Sequence, residues 1–242
     1  FWAEEFASAD WSTLADELFR RLAALDTDDT TGWNYKFRRQ ALGKRLLDVL
    51  QRAGRESETL AVMEQQARAT DDYIPLVERL LAAGERDRAM DWIRQGIAAT
   101  WSRSPRAALQ LRDLHRRSCI DDGNWAQVAA LDAASFFAKP SLESWRCLQQ
   151  SAERAGVWPA VRDTALDVLA RGDQRPGSGN PGWPLPPPAV NITWPTAGIG
   201  SPARDVLIDI ALADGDPVQA LHWYRQHDAS LTGVGEARAK RL

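Results

Sequence analysis

Cysteine and histidine are scarce in this chain, which holds 2 of the first and 3 of the second. Cys119 and Cys147 are too few for a disulfide framework and point to a reducing, cytoplasmic compartment. No apolar run approaches the roughly 20 residues needed to cross a bilayer, and no signal-peptide pattern opens the chain. No membrane partner is therefore expected. Charge of one sign is lacking too: a net charge of −3 offers no general attraction to nucleic acid or to an anionic surface. There is no G-x-S-x-G elbow and no Walker loop, and no strand pattern of any length stands out. No enzyme activity and no cofactor are expected.

What remains is helical. With 242 residues, 44% of them hydrophobic and 26% charged, the composition is that of an ordinary soluble globular protein with ample core. Asp10 is placed to cap a helix carrying Trp11, Leu14, Leu18, Leu22 and Leu25 at steps of three and four. An acidic turn, 26–32, precedes a longer helix from about Trp33 to Ala53, with Leu42, Leu46, Leu47, Val49 and Leu50 inward. Ser57 to Ala69 forms its partner, with Leu60, Val62 and Met63 inward. Similar periods follow Pro105, Trp125, Ser141 and Trp158.

Two stretches about 130 residues apart read as copies of one helix–turn–helix unit. Leu76, Gly84, Ala89, Trp92, Arg94 and Gln95 recur in order as Leu207, Gly215, Ala220, Trp223, Arg225 and Gln226. A glycine ends the first helix, a small residue lets backbones approach, and a large one fills the layer between helices. The expected fold is all-α, a tetratricopeptide-like α-solenoid of antiparallel helix pairs with a Pro/Gly-rich inserted segment. Residues 1–171 form the helical array, 172–202 a Pro/Gly/Trp-rich loop or joint, and 203–242 further repeats. The loop holds Pro184, Pro186, Pro187 and Pro188, so it is not helical. Its Trp183, Leu185, Val190, Ile192 and Trp194 argue for packing back across the helices. Phe1-Trp2 at one end and the helix-forming run 236–242 at the other suggest a fragment of a longer protein.

Phe136-Phe137-Ala138-Lys139-Pro140-Ser141-Leu142-Glu143-Ser144-Trp145 and Trp158-Pro159-Ala160-Val161-Arg162 resemble the region downstream of the zinc finger in bacterial SWIM zinc-finger proteins. Tyr73 to Gly96 is similar to that family's helical unit, and the resemblance runs from about Trp33 to Gln226. It implies a helical-repeat region accompanying a metal-binding module that contacts DNA or proteins. The SWIM motif itself, Cys-x-Cys followed by Cys-x-His, does not occur in this sequence. No zinc ligands carry over, and no metal site is expected.

His115 and Cys119 stand four apart on one helix, half of a metal site with no second half in view. Two buried, structural cysteines are the expectation. His222 and His227 flank Trp223 near a helix end, where a dipole contact or solvation accounts for them. Asp28-Asp29, Asp71-Asp72 and Asp121-Asp122 each precede a helix, where capping and the helix dipole account for the pairs.

Two features remain as partner-binding candidates. Arg38, Arg45 and Arg52 recur every seven positions on one helix, with Lys36, Arg39 and Lys44 nearby, and Arg112, Arg116 and Arg117 decorate another. Such a stripe could follow a phosphate backbone, or it could be a solvated face balanced by Asp48, Glu56 and Glu58. Among the 11 tryptophans, Trp92, Trp125, Trp145 and Trp223 read as wedges between helices. Trp183 and Trp194 lie in the loop, where Trp183-Pro184-Leu185-Pro186-Pro187-Pro188 could adopt polyproline II and dock to a partner or strap the helices. The leading reading is a non-catalytic protein–protein interaction scaffold in a larger cytoplasmic protein. A nucleic-acid-associated module using the basic helix face is the alternative.

Overall fold

The computed structural model describes residues 8–25, 33–172, 182–190 and 203–226. Among them are α1 (Ser8–Leu25), α2 (Trp33–Arg52), α3 (Glu56–Thr70), α4 (Ile74–Ala82), α5 (Arg86–Thr100) and α6 (Pro105–Asp121). Then come α7 (Trp125–Ala138), α8 (Leu142–Arg154), α9 (Trp158–Arg171), α10 (Arg204–Ala213) and α11 (217–226). No strand occurs among the described residues, and the protein is all-α with successive helices packed in pairs. The expectations for Phe1-Trp2, the turn 26–32 with Asp28-Asp29, Ile192, Trp194, His227 and the run 236–242 lie outside the described residues.

Five helix pairs are joined by one kind of turn. Gly54, Gly84, Gly123, Gly156 and Gly215 all have φ between 68 and 76°. The residue after each glycine donates its N–H back across the turn: Arg55 to Leu50, Glu85 to Leu80, Asn124 to Cys119, Val157 to Ala152 and Asp216 to Ala211, at 2.8–3.0 Å. This is the Schellman arrangement, which satisfies carbonyls that a helix end would otherwise leave bare. A Cβ at any of these glycines would meet nothing within 4 Å, so the dihedral angle and not space requires glycine. The donating residue is at once the N-terminal boundary of the next helix, so the link has almost no slack. Asn124 and Asp216 also cap with their side chains, accepting from the N–H of Gln127 and Gln219 at 3.3 and 2.9 Å.

A fixed turn fixes which positions face inward. About two helical turns before the glycines stand Leu46, Leu76, His115, Leu148 and Leu207, all buried. One turn before them stand Leu50, Leu80, Cys119, Ala152 and Ala211, buried as well. On four of the five following helices Ala89, Val128, Val161 and Ala220 take the matching buried place, and on α3 the half-buried Thr59 does. The α4–α5 and α10–α11 pairs, the two copies legible in the sequence, are thus two of five. His115 and Cys119 fall four apart because they occupy these two buried positions of the α6–α7 pair.

The chain forms two compact units, residues 1–115 and 116–242, dividing within α6. In the first, Ala15, Leu18 and Leu22 of α1 pack with Leu46, Val49 and Leu50 of α2 and Val62 of α3. Arg55 ties the same elements together, its guanidinium on Asp16 at 2.7 Å and on Glu58 at 2.6 Å, which lowers the Glu58 carboxyl below its usual range. Further along, Gly96 of α5 sits so close to Tyr73 and α6 that a Cβ would lie 2.8 Å from Tyr73 Cγ and 2.7 Å from Leu111 Cδ1. In the second unit an aromatic series runs Phe137–Phe136 at 5.3 Å, Phe136–Trp145 at 5.3 Å and Trp145–Trp158 at 5.0 Å. These rings tie α7, α8 and α9 together. Trp92 and Trp145 are the buried wedges expected of them, whereas Trp125 and Trp223 are half-buried. Across α6 and α7, Arg116 grips Asp132 with two bonds of 2.7 and 2.9 Å, and Asp132 is 6% exposed. By register Asp132 stands where α5 has buried Ile93 and α9 has buried Ala165.

Three expectations need correction. Asp71-Asp72 does not cap α4, whose N-cap is Tyr73 without a side-chain bond. Asp71 instead closes α3 at φ 62°, and its carboxylate is held by Lys36 at 2.6 Å, while Asp72 accepts from Gln40 at 2.9 Å. Asp121 is the last residue of α6, and the cap of α7 is Asn124. Cys119 is buried but Cys147 is exposed, because it falls on the outer side of α8.

Three outcomes follow for stability. Gly96→Ala should cost about 1–2 kcal/mol in urea denaturation despite alanine's better helix propensity, since Tyr73 and Leu111 must shift. Asp132→Ala should cost about 2–3 kcal/mol by leaving Arg116 without its partner, and Arg116→Leu with Asp132→Leu should recover most of it. Burial, helped by the charge of Arg94, lowers the pKa of His115 below its usual 6.5. The unfolded chain then takes up this proton before the folded one. Stability is intact above about pH 6.5 and declines as pH falls through it, by at most about 1.4 kcal/mol per unit. His115→Leu should flatten that decline in melts between about pH 7 and 5.5, and an unchanged slope would refute the assignment.

Candidate partner-docking surface

Helix α2 carries the basic series, and the fold sorts it residue by residue. Arg39 is turned inward, 1% exposed, with Nη1 donating to Tyr35 Oη at 3.2 Å; burial lowers its pKa below the ordinary arginine value. Lys36 is held by Asp71. Arg52 lies 3.2 Å from Asp48, with its guanidinium 4.9 Å from the Trp11 ring. Arg38 and Arg45 are different: both are exposed and make no ion pair among the described residues. The series therefore divides, with two members open and the third engaged.

Between these arginines stands a residue that the sequence reading passed over. Phe37 is 61% exposed, one of the few large apolar side chains left at the surface. It borders two open clefts. One, of about 440 Å³ between α1 and α2, is lined by Leu25, Phe37, Leu42, Arg21, Arg38 and Arg45 among others. The other, of about 530 Å³ among α2, α3 and α4, is lined by Phe37, Lys44, Leu47, Met63, Gln66 and Pro75 among others. The signal for Phe37 was present in the sequence, an aromatic side chain among Lys36, Arg38 and Gln40 on the polar side of a helix. Periodicity alone does not single it out.

The loop tryptophans meet a different fate. Trp183 is half-buried, its ring 5.9 Å from Phe137 in an edge-on contact. Leu185 and Val190 are buried, and Leu185 joins the core of the second unit. The side-chain amide of Gln127 fixes the segment by donating to Pro187 O at 3.3 Å and accepting from Ala189 N at 3.2 Å. Residues 182–190 are thus strapped to α7. Trp183 and the arginines of α2 belong to separate units and are not brought together by the contacts within either one. Trp194 lies outside the described residues.

The remaining polar clusters are occupied structurally. The cleft of about 560 Å³ beside α9, α10 and α11 holds Arg162, Asp167, Asp214 and Asp216. Arg162 is paired with Asp214 at 2.9 Å, Asp167 with Arg171 at 2.8 Å, and Asp216 caps α11. Burial, with Asp122 nearby, pushes the Cys119 thiol above its ordinary pKa, which disfavours the thiolate. His222 contacts Gln226 and the Trp223 ring at 3.0 and 5.0 Å. Among the described residues no three His, Cys, Asp or Glu side chains converge to hold a metal, and no helix is long and apolar enough to cross a membrane. No family model, curated protein or solved structure matches the chain.

Proposed function

We propose that this chain is a non-catalytic protein–protein interaction module of the tetratricopeptide-like α-solenoid class. The observation that carries the reading is the same glycine turn at five helix pairs, with the same positions buried around it. Helical repeats of this kind present rigid faces to other macromolecules. The open surface beside Phe37 supplies such a face. The resemblance to SWIM zinc-finger proteins fits this reading, since there a helical region accompanies a separate recognition module.

A nucleic-acid-associated role is the second reading, favoured by Arg38 and Arg45, which are open and without ion pairs among the described residues. Against it, Lys36, Arg39 and Arg52 are engaged within the protein, which leaves a short cationic footprint. Affinity capture from the source cell's lysate, with and without nuclease, separates the two. A protein retained after nuclease treatment is the expected outcome. Loss of all bound material on nuclease treatment, matched by its loss in an Arg38→Glu/Arg45→Glu variant, would establish the nucleic-acid reading instead.

A further inference from the structure

We propose that the cleft between α1 and α2 docks an acidic segment of a partner protein that carries a large apolar side chain. The proposal rests on the interaction-module reading and narrows it to one surface and one chemistry. Phe37 and the apolar lining of the cleft would receive the apolar residue, and Arg38 and Arg45 would receive flanking carboxylates.

Four observations converge on this occupant. The cleft has an apolar lining of Ala24, Leu25, Ala41 and Leu42 together with the exposed Phe37. Among the described residues, the charged side chains that line it are Arg21, Arg38 and Arg45, with no carboxylate. Of the three, Arg21 is already bonded to Glu17 at 2.9 Å, which leaves two exposed guanidinium groups without an ion pair among the described residues. Arg55, Arg88, Arg94, Arg116, Arg162 and Arg171 all hold carboxylates, whereas Arg38 and Arg45 hold none among the described residues. An open guanidinium is matched by a carboxylate in planar, two-bonded geometry, and an aromatic ring within a charged rim is the profile of an interface anchor.

The volume and the charge also say what does not fit well. About 440 Å³ accommodates a few side chains of an extended or helical segment, not the edge of a domain. Nucleic acid would use the same arginines, but stable binding to a backbone typically needs about 6–10 phosphate contacts. The next arginine in the seven-residue series, Arg52, is bonded to Asp48 and lies over Trp11. An apolar lining offers nothing to a phosphate.

The test is selection of a random dodecapeptide phage library on the 242-residue chain, followed by anisotropy titration of the enriched peptides. Expected are peptides rich in Asp and Glu around Phe, Trp or Leu. Their affinity should fall about ten-fold or more in Phe37→Ala and in Arg38→Glu/Arg45→Glu, and fall less in Arg38→Lys/Arg45→Lys, which keeps the charge but loses the two-bonded geometry. All three sites are exposed, and circular dichroism checks that each variant keeps its helices. Neutral or basic peptides, no enrichment, or affinity unchanged in Phe37→Ala would overturn the proposal. So would a single-stranded or duplex oligonucleotide that binds in place of any peptide and is lost in Arg38→Glu/Arg45→Glu. A lysate partner that still binds the Phe37→Ala/Arg38→Glu/Arg45→Glu variant would leave the interaction-module reading standing and remove this surface from it.

Discussion

The left-handed glycine between paired helices is the constraint on which the rest of this structure depends. It lets the chain reverse with two backbone bonds and almost no connecting length, so the second helix starts where the first one stops. Because the reversal has one geometry, it also fixes the rotation of each helix about its axis. The same positions then face inward at Gly54, Gly84, Gly123, Gly156 and Gly215. Any other residue there would adopt a positive φ at a cost of about 1 kcal/mol or more.

That shared register explains why polar residues end up in the core at α6 and α7. His115 sits where the other pairs have leucine, Cys119 where they have leucine or alanine, and Asp132 where α5 has isoleucine and α9 alanine. A buried carboxylate is tolerated only when its charge is matched, and Arg116 supplies a two-bonded partner across the helices. Such a pair contributes orientation more than net stability, because both groups lose water on burial. The four-residue spacing of His115 and Cys119 is thereby a consequence of the repeat.

Charge pairing decides what the surface is left with. Many arginines are held by carboxylates, and others rest against aromatic rings, among them Arg68 on Trp92 and Arg154 on Trp125. Exposed pairs of this kind are worth little energetically, yet they remove cations from the set available to a partner. Arg38 and Arg45, beside Phe37 on α2, are not removed in this way among the described residues. The strap from 182 to 190 uses the opposite device, spending its apolar side chains and a glutamine clamp on the protein itself.

Much of this fold was legible in the sequence, since helical periodicity and glycine stops are local properties. The bounds expected for the second and third helices, about Trp33–Ala53 and Ser57–Ala69, lie within a residue of α2 and α3. Two of the five repeated pairs were visible because Gly, Ala and Trp were kept in both. The others hid because burial does not fix identity: leucine and histidine share one position, and leucine, cysteine and alanine the other. The candidate site was less legible. Heptad spacing placed Arg38, Arg45 and Arg52 on one helix but carried no information on which would meet a carboxylate. Asp71 and Asp72 likewise looked like caps until Lys36 and Gln40, far away in sequence, claimed their oxygens. The sequence by itself determined where the helices begin, turn and end, because those are governed by bonds between near neighbours. Tertiary structure alone decided which charges are spent, which aromatic rings are exposed and which surface is left open, because those depend on partners brought together from distant parts of the chain.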